Sequence, residues 1–170
     1  MQKEVLFEEN QRFKQWWLWL ILLGSASVFL YWVCKQLLLK TQAGENPMDD
    51  VTLLISAGGI ILIIVLFFST RLSTQIKTDG IYLKFFPFHW SYKYYSKDMI
   101  SKCYVRTYSP LGEYGGWGLR YSISGHGMAY NVSGNKGLQL ELNNGKKILI
   151  GTNKPAELDE ALIKLNNSNS

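Results

Sequence analysis

Residues 15–34 have the sequence QWWLWLILLGSASVFLYWVC, and this stretch decides the architecture because it contains no charged residue. Lys14 and Lys35 bound it on either side. An α-helix rises about 1.5 Å per residue, so a stretch of this length spans roughly 30 Å, the thickness of the hydrocarbon core of a bilayer. The stretch therefore predicts a first transmembrane helix.

A second uncharged stretch of the same length lies at residues 51–70 and predicts a second transmembrane helix. Residues 35–50 would then form an external loop, and both chain ends would lie on one side. Two helices that are apolar all round need more protein to cover them than the remaining residues offer, which argues against a soluble protein. A signal peptide is the alternative for the first stretch, but its apolar residues continue beyond the small residues 24–27, which favours an uncleaved anchor.

Charge predicts the orientation of this hairpin. The chain has 170 residues, with 18 Lys and Arg against 13 Asp and Glu, and a net charge of +5. The segments before the first apolar stretch and after the second carry more Lys and Arg than the loop that joins the two, which has Lys35 and Lys40. By the positive-inside rule we expect an integral protein of the inner (cytoplasmic) membrane with both termini in the cytoplasm.

Residue types inside the hairpin predict its depth and packing. Trp16, Trp17 and Trp19 lie at one end of the first stretch, where aromatic rings would sit at the membrane interface. The small residues Gly24 and Ala26 would lie at a depth similar to that of Gly58 and Gly59 in an antiparallel pair. Because small residues allow two helices to approach closely, we expect these four to pack against each other.

Residues 71–166 show the alternation of an antiparallel β-domain followed by a helix. Asp79-Gly80 predicts a hairpin turn. Pro155 suits the first turn of a helix, and the apolar spacing from Leu158 to Leu165 predicts its buried face. We expect an α+β domain in which about seven strands close into a small barrel covered by the C-terminal helix. Residues 1–14 would be a cytoplasmic arm and residues 167–170 a disordered tail.

Two segments resemble a known family: EYGGWGLR at 113–120 and ILIGT at 148–152, with Pro155 further on. The family comprises small bacterial two-span membrane proteins of unknown function that carry a C-terminal bacterial PH-like domain. The resemblance covers most of the chain. It implies a PH-like fold and a membrane location, and it supplies neither a reaction nor a ligand.

Two segments of the predicted β-domain are candidate sites. The glycine-rich loop 108–120 could bind a partner, and its candidate residues are Tyr108, Tyr114, Trp117 and Arg120. Segment 85–95 is rich in aromatic residues, and its turn could touch lipid through Phe88, Trp90 and Lys93. The alternative for most rings of this segment is the interior of the barrel.

These patterns favour an interaction or scaffold module that binds a protein or peptide, or assembles with itself, through the loop or an exposed strand edge. One alternative is a lipid-surface or small-ligand-binding module that uses segment 85–95, and another is an accessory subunit of a membrane enzyme. Neither His89 nor His126 has a cysteine or carboxylate at the spacing of a metal site, so we expect no metal, no cofactor and no catalysis. The lysines are not clustered, so we expect no nucleic acid as a partner. The expected partners are the lipid bilayer and a protein or a second copy of this chain.

Overall fold

A computed structural model describes residues 4–38 and 49–167, which fall into two compact units. The helical unit runs from Lys14 to Ser69. The β-unit combines the residues up to Phe13 with those from Thr70 onward. Most of the expected external loop (39–48), most of the expected tail (168–170) and the first three residues of the expected arm lie outside the described residues.

The helical unit contains the two expected apolar helices. Helix α1 covers Trp16–Val33 and continues into a π-helical turn at Cys34–Leu38, and α2 covers Asp50–Ser69. Both are long and apolar enough to cross a membrane. The carboxylate of Asp49 accepts a hydrogen bond from the backbone N–H of Thr52 at 3.0 Å and so caps the start of α2.

The two helices pack along a stripe of apolar side chains that includes Ala26, and the expected contact between glycines is absent. Residues half-buried or buried along this stripe are Leu18, Leu22, Ala26 and Phe29 in α1, and Leu53, Ala57, Ile60 and Ile64 in α2. The ring of Trp19 meets that of Phe68 edge-on at 6.3 Å. A Cβ added to Gly24, Gly58 or Gly59 would meet no atom within 4 Å. Ala26 therefore lies on the stripe, and the three glycines lie off it.

Sheet A of the β-unit contains four antiparallel strands in the order β1-β2-β3-β4. They are β1 Val5–Arg12, β2 Arg71–Lys77, β3 Gly80–Phe86 and β4 Lys93–Ser96. The β2–β3 hairpin forms as expected, with Thr78 and Asp79 at its turn. We expected residues 1–14 to be an arm outside the domain. The structure instead makes residues 5–12 an edge strand, which pairs with β2 from Arg12↔Arg71 to Val5↔Lys77.

The inner face of β1 explains why this strand joins the domain. Phe7, Glu9 and Gln11 point inward and are buried. The Glu9 carboxylate accepts hydrogen bonds from the Thr152 hydroxyl at 2.6 Å and from the backbone N–H of Asn153 at 3.0 Å. The Gln11 amide donates to the carbonyl of Gly151 at 2.7 Å. These bonds satisfy polar groups that would otherwise be costly to bury, and they fix β1 to the far end of the chain.

Sheet B contains five strands in the order β5-β8-β9-β7-β6. They are β5 Ile100–Thr107, β6 Gly118–Tyr121, β7 Met128–Asn131, β8 Lys136–Leu142 and β9 Lys147–Gly151, and a short helix α3 covers Pro110–Tyr114. Strands β7 and β9 are parallel, and the other pairs are antiparallel. The expected closed barrel is wrong for the described residues, since no strand of sheet A pairs with a strand of sheet B.

The C-terminal helix takes the place of barrel closure. Helix α4, Pro155–Asn167, packs against β1 and β2 of sheet A and against β5 and β8 of sheet B. Its buried residues are Leu158, Ala161, Leu162 and Leu165, which confirms the predicted apolar face. Helix α4 thus packs against one edge strand of each sheet, β1 and β5.

Candidate functional site

The first two candidate residues of loop 108–120 lie in the core. Tyr108 and Tyr114 are each 4% exposed, and their rings meet edge-on at 6.0 Å. The Tyr108 hydroxyl accepts a hydrogen bond from the Asn131 amide at 2.9 Å, and the Tyr114 hydroxyl donates to the carbonyl of His126 at 3.2 Å. The expectation that these two rings bind a partner is therefore corrected, because side chains this deeply buried cannot form a docking surface.

An ion pair holds the start of this loop on sheet B. The Arg106 guanidinium donates to both carboxylate oxygens of Glu113, at 2.7 and 3.2 Å. The hydrogen bond from Arg106 lowers the pKa of the Glu113 carboxyl below its ordinary value, and a backbone N–H from Ser109 contributes to the same shift. The Ser109 hydroxyl in turn accepts from the N–H of Gly112 at 3.1 Å and caps α3. This network orders the loop, and within it the Glu113 carboxylate accepts hydrogen bonds from Arg106 and Ser109.

The remaining two candidates of the loop are more accessible. Trp117 is half-buried, and its indole N–H donates to the carbonyl of Gly134 at 3.0 Å. Arg120 is exposed, and its Nε donates to the carbonyl of Trp117 at 3.1 Å. Both side chains therefore support the fold of the glycine-rich segment, and only Arg120 presents a charge to solvent.

A serine and a histidine lie close together in the loop between β6 and β7. The Ser124 hydroxyl is 2.9 Å from His126 Nδ1, and Glu113 is the nearest carboxylate, 3.8 Å from His126 Nε2. A catalytic triad needs a carboxylate that orients the imidazole. Glu113 lies beyond hydrogen-bond distance of His126 and its oxygens accept from Arg106 and Ser109, so the Ser124–His126 contact is a hydrogen bond within the loop.

Strand β5 offers an open edge. Among the described strands it pairs only with β8. Just beyond β5, the N–H of Tyr108 donates to the carbonyl of Asn135 at 2.8 Å. Because bonded and non-bonded pairs alternate along an antiparallel ladder, Tyr104 bonds to β8, whereas the N–H and C=O of Cys103 and Val105 face away from it. Such outward groups can pair with an added strand.

A groove runs beside this edge, which we call the β5–α4 groove. It has a volume of about 520 Å³ and is lined by Lys97, residues 100–104 of β5, and Leu165 and Asn166 of α4. The Lys97 ammonium donates to the carbonyl of Leu165 at 2.7 Å and so closes the end of α4. Tyr104 is 42% exposed, and burial raises the pKa of the half-buried Cys103 thiol. The groove thus combines free backbone groups, apolar side chains and lysines.

The sequence predicts an exposed strand edge without locating it. The alternation from Ile100 to Tyr108 predicts a strand with Cys103 and Val105 on one face. It did not show that the strand lies at an edge of its sheet, because that depends on pairing with β8, about 35 residues further along the chain. Residues Ile100, Lys102 and Tyr104 were therefore missed as candidates.

The candidate membrane-interface residues divide into exposed and engaged side chains. Trp16 and Trp17 are 74% and 42% exposed, whereas Trp19 packs on Phe68 of α2. The turn between β3 and β4, residues 87–92, we call the aromatic turn. Its Phe88 is 53% and its Trp90 78% exposed, as expected for rings that cannot be buried in a turn.

Lys93, at the start of β4, differs from the expectation that it faces lipid. Its ammonium donates to the hydroxyl of the buried Tyr130 at 3.0 Å and lies 5.5 Å from that ring. This bond uses one of the three ammonium donors and directs the half-buried side chain toward Tyr130. Of the other rings in segment 85–95, Phe85 alone is fully buried, while Tyr92 and Tyr94 are exposed.

Comparison with known proteins gives one match. A family model described as a family of unknown function, DUF6141, matches residues 2–168. No curated protein and no solved structure matches the chain.

Proposed function

The chain belongs to this family of unknown function, and we propose from its geometry that it is a membrane-anchored, PH-like interaction module. In this proposal the helical hairpin crosses the bilayer, the β-unit lies on the cytoplasmic face, and the β5–α4 groove binds an extended segment of a partner protein. The observation that carries the proposal is the open edge of β5 beside a groove of about 520 Å³.

The exposure of the helices supports membrane anchoring. No residue of α1 is buried, and in α2 Leu53 alone is buried. A core helix of a soluble protein would be mostly buried. The hydroxyls of Ser25, Ser27 and Ser56 donate to carbonyls within their own helices at 2.8 to 2.9 Å. Such bonds satisfy polar groups that find no water in a bilayer core.

Strand β1 supports an uncleaved first helix. Cleavage after α1 would remove β1 and leave Thr152 and Asn153 without the carboxylate that accepts their hydrogen bonds. It would also expose the edge of β2. A signal peptide has no reason to supply a buried strand of the mature domain, so this arrangement favours a permanent anchor.

The arrangement of the β-unit supports the PH-like assignment. Two mainly antiparallel sheets contact each other, with Phe85 against Tyr130 and Gln11 bonded to Gly151, and the C-terminal helix packs against both. This is the order of parts that the family resemblance implies. Lys and Arg are more frequent before α1 and after α2 than in the loop that joins the helices, which supports a cytoplasmic location of the β-unit.

The chemistry of the groove defines its ligand. An extended segment would pair its backbone with the outward groups of Cys103 and Val105. The side chains directed into the groove would meet Ile100 and Cys103. An acidic side chain would reach Lys102, whose side chain is 70% exposed and whose ammonium lies 4.0 Å from the Glu141 carboxylate. We therefore propose a partner segment that alternates apolar and acidic residues.

Site-specific photo-crosslinking in the native membrane tests this proposal. A p-benzoylphenylalanine at position 104 lies in the groove, and one at position 121 lies on β6, the opposite edge of sheet B, where Tyr121 is 73% exposed. We expect one discrete protein adduct at position 104 and none at position 121. The adduct should disappear with Val105→Pro, which removes an outward N–H, and persist with Arg120→Gln.

Three other results would count against the proposal. Equal adducts at positions 104 and 121 would indicate non-specific proximity. An adduct insensitive to Val105→Pro would exclude pairing along the strand edge. An adduct formed with a second copy of the same chain would show that the groove is a self-assembly interface.

A further inference from the structure

The register of sheet A aligns three residues at one end. Arg12 of β1 lies opposite Arg71 of β2, and Arg71 lies opposite Phe86 of β3. At this end the chain leaves toward α1, which begins at Trp16, and returns from α2, which ends at Ser69. The row therefore marks the end of the sheet at which both apolar helices are attached.

The outer face of the β1–β2 pair carries hydrogen-bonded polar pairs up to this row, where two like charges meet instead. Its first two rungs are complementary, because Gln75 donates to the Glu8 carboxylate at 3.0 Å and the Ser73 hydroxyl donates to Asn10. The last rung places two exposed arginines opposite each other. Like charges on directly paired residues are destabilising. Within residues 4–38 and 49–167, neither arginine forms an ion pair that would offset this repulsion.

The aromatic turn extends from the same row. It follows directly after Phe86, and the ring of Trp90 meets the Phe86 ring edge-on at 5.3 Å. Phe88 stacks on the buried Phe85 at 5.7 Å, which holds the turn in place. Trp90, 78% exposed, thus lies on the outer face next to Phe86 of the arginine row, whereas Phe88, 53% exposed, packs on Phe85 of the inner face.

We propose that this end of sheet A is a binding site for an anionic phospholipid of the bilayer. Arg12 and Arg71 bind the lipid phosphate, which removes their mutual repulsion, and Phe88 and Trp90 lie at the level of the headgroups. The bilayer is the source of the phosphate because both helices are attached at this end. The inference rests on the proposed membrane anchoring and is independent of the β5–α4 groove.

Thermal unfolding of the full chain in nanodiscs tests the arginine pair. We compare phosphatidylcholine alone with phosphatidylcholine mixed with phosphatidylglycerol. The mixed lipid should raise the Tm of the β-unit of the native chain by a few degrees. Arg71→Gln should abolish this gain while leaving the Tm in phosphatidylcholine unchanged or higher, because it removes the repulsion.

A matched control separates a site from general attraction between charges. Lys146→Gln removes an exposed cation from the turn between β8 and β9 and should keep the full gain. If Arg71→Gln keeps the gain, or if Lys146→Gln loses it equally, the proposed site is wrong. A lower Tm of Arg71→Gln in phosphatidylcholine would likewise contradict it, since it would show that the pair stabilises the fold without lipid.

Spin labels measure the depth of the turn and test the anchor separately. In a Cys34→Ser, Cys103→Ser background, single cysteines replace Trp90, Val5 and Ile61. Val5 lies at the other end of β1, six residues along β2 from the arginine row, or about 20 Å away. We expect high oxygen accessibility at positions 90 and 61 and access to water-soluble nickel reagents at position 5.

The three positions give distinct answers. A lipid-embedded position 61 with a water-exposed position 90 would overturn the aromatic part of this proposal and leave the anchor intact. A water-exposed position 61 would overturn the anchor and this proposal together. Equal burial of positions 90 and 5 would also contradict it, because the turn would then have no special relation to the bilayer.

Discussion

The strands β1 and β5 are both edge strands beside α4, and they differ in what their edges and side chains do. Strand β1 sends Glu9 and Gln11 inward to bonds with residues 151–153. Strand β5 instead has half-buried Cys103 and Val105 on that face and borders the larger groove, about 520 Å³ against 310 Å³ beside β1.

This difference follows from what each strand is connected to. Strand β1 continues into α1, so any displacement of the hairpin acts on it directly, and its buried hydrogen bonds resist such displacement. Strand β5 has no such connection; it pairs with β8 from Ile100 to Thr107, and Arg106 near its end pairs with Glu113. The edge strand that continues into an apolar helix is thus held by buried side-chain bonds, whereas the outward backbone groups of β5 pair with no other described strand.

Removal of the buried carboxylate on β1 should have the largest effect. Glu9→Ala deletes the acceptor of two hydrogen bonds and leaves the Thr152 hydroxyl and the Asn153 N–H unsatisfied. We expect the free energy of unfolding of the β-unit to fall by about 3 kcal/mol, measured by denaturant titration in detergent.

The neighbouring glutamate on β1 is the control. Glu8 points outward and is exposed, so Glu8→Ala should change the free energy of unfolding by about 0.5 kcal/mol or less. Equal losses for the two variants would mean that the buried bonds do not hold β1, and the contrast with β5 would fail.

The fixed end of β5 should show a smaller, pH-dependent effect. Glu113→Gln removes the charge that pairs with Arg106, and we expect a loss of about 1.5 kcal/mol at pH 7. The pKa of Glu113 is lower in the folded state, so its stabilisation is complete above the ordinary pKa of 4.5 and is lost as the pH falls through the folded value. Unfolding curves of both proteins should therefore converge below pH 4.5.

Glu157→Gln provides the comparison for that pH profile. Glu157 pairs with Lys154 at 2.7 Å at the start of α4, and its side chain is 60% exposed. Its replacement should leave the stability unchanged at every pH, because exposed pairs contribute little. A gap between native chain and Glu113→Gln that stays constant into acid would show that the effect of the variant is steric.

The open part of β5 should tolerate a change that other strands do not. Val105→Pro removes an N–H that faces away from β8, so we expect a loss below about 1 kcal/mol. Tyr104→Pro removes an N–H bonded to β8 and should cost about 2 kcal/mol or more. The two variants differ by one position, and circular dichroism melts of both measure the difference. Similar losses would contradict the assigned direction of the amides.

Patterns with local causes could be predicted from the sequence. The two charge-free stretches define helices whatever surrounds them, and the apolar spacing of Leu158, Ala161, Leu162 and Leu165 is periodic within one element. The exposed rings of Phe88 and Trp90 followed from their place in a turn. In each case the deciding interaction is with solvent, lipid or a neighbour within one or two turns of chain.

Features that depend on distant partners could not be predicted. Strand β1 carries Glu9 and Gln11 on its inner face, a pattern typical of a polar arm, and only Thr152 and Asn153 make that face a buried one. The burial of Tyr108 and Tyr114 likewise depends on Asn131 and the carbonyl of His126. The barrel expectation also failed at a long-range feature, since closure requires strands of the two sheets to pair and none of the described strands do so.

The position of β1 also imposes an order on biosynthesis. Its partner β2 begins at Arg71, so 58 residues must be made after Arg12 before the two can pair. At about 5–20 residues per second this takes roughly 3–12 s. During that time β1 remains an unpaired strand while α1 and α2 are synthesised. Sheet A, which needs β1 paired with β2, therefore forms only after both apolar helices have been synthesised.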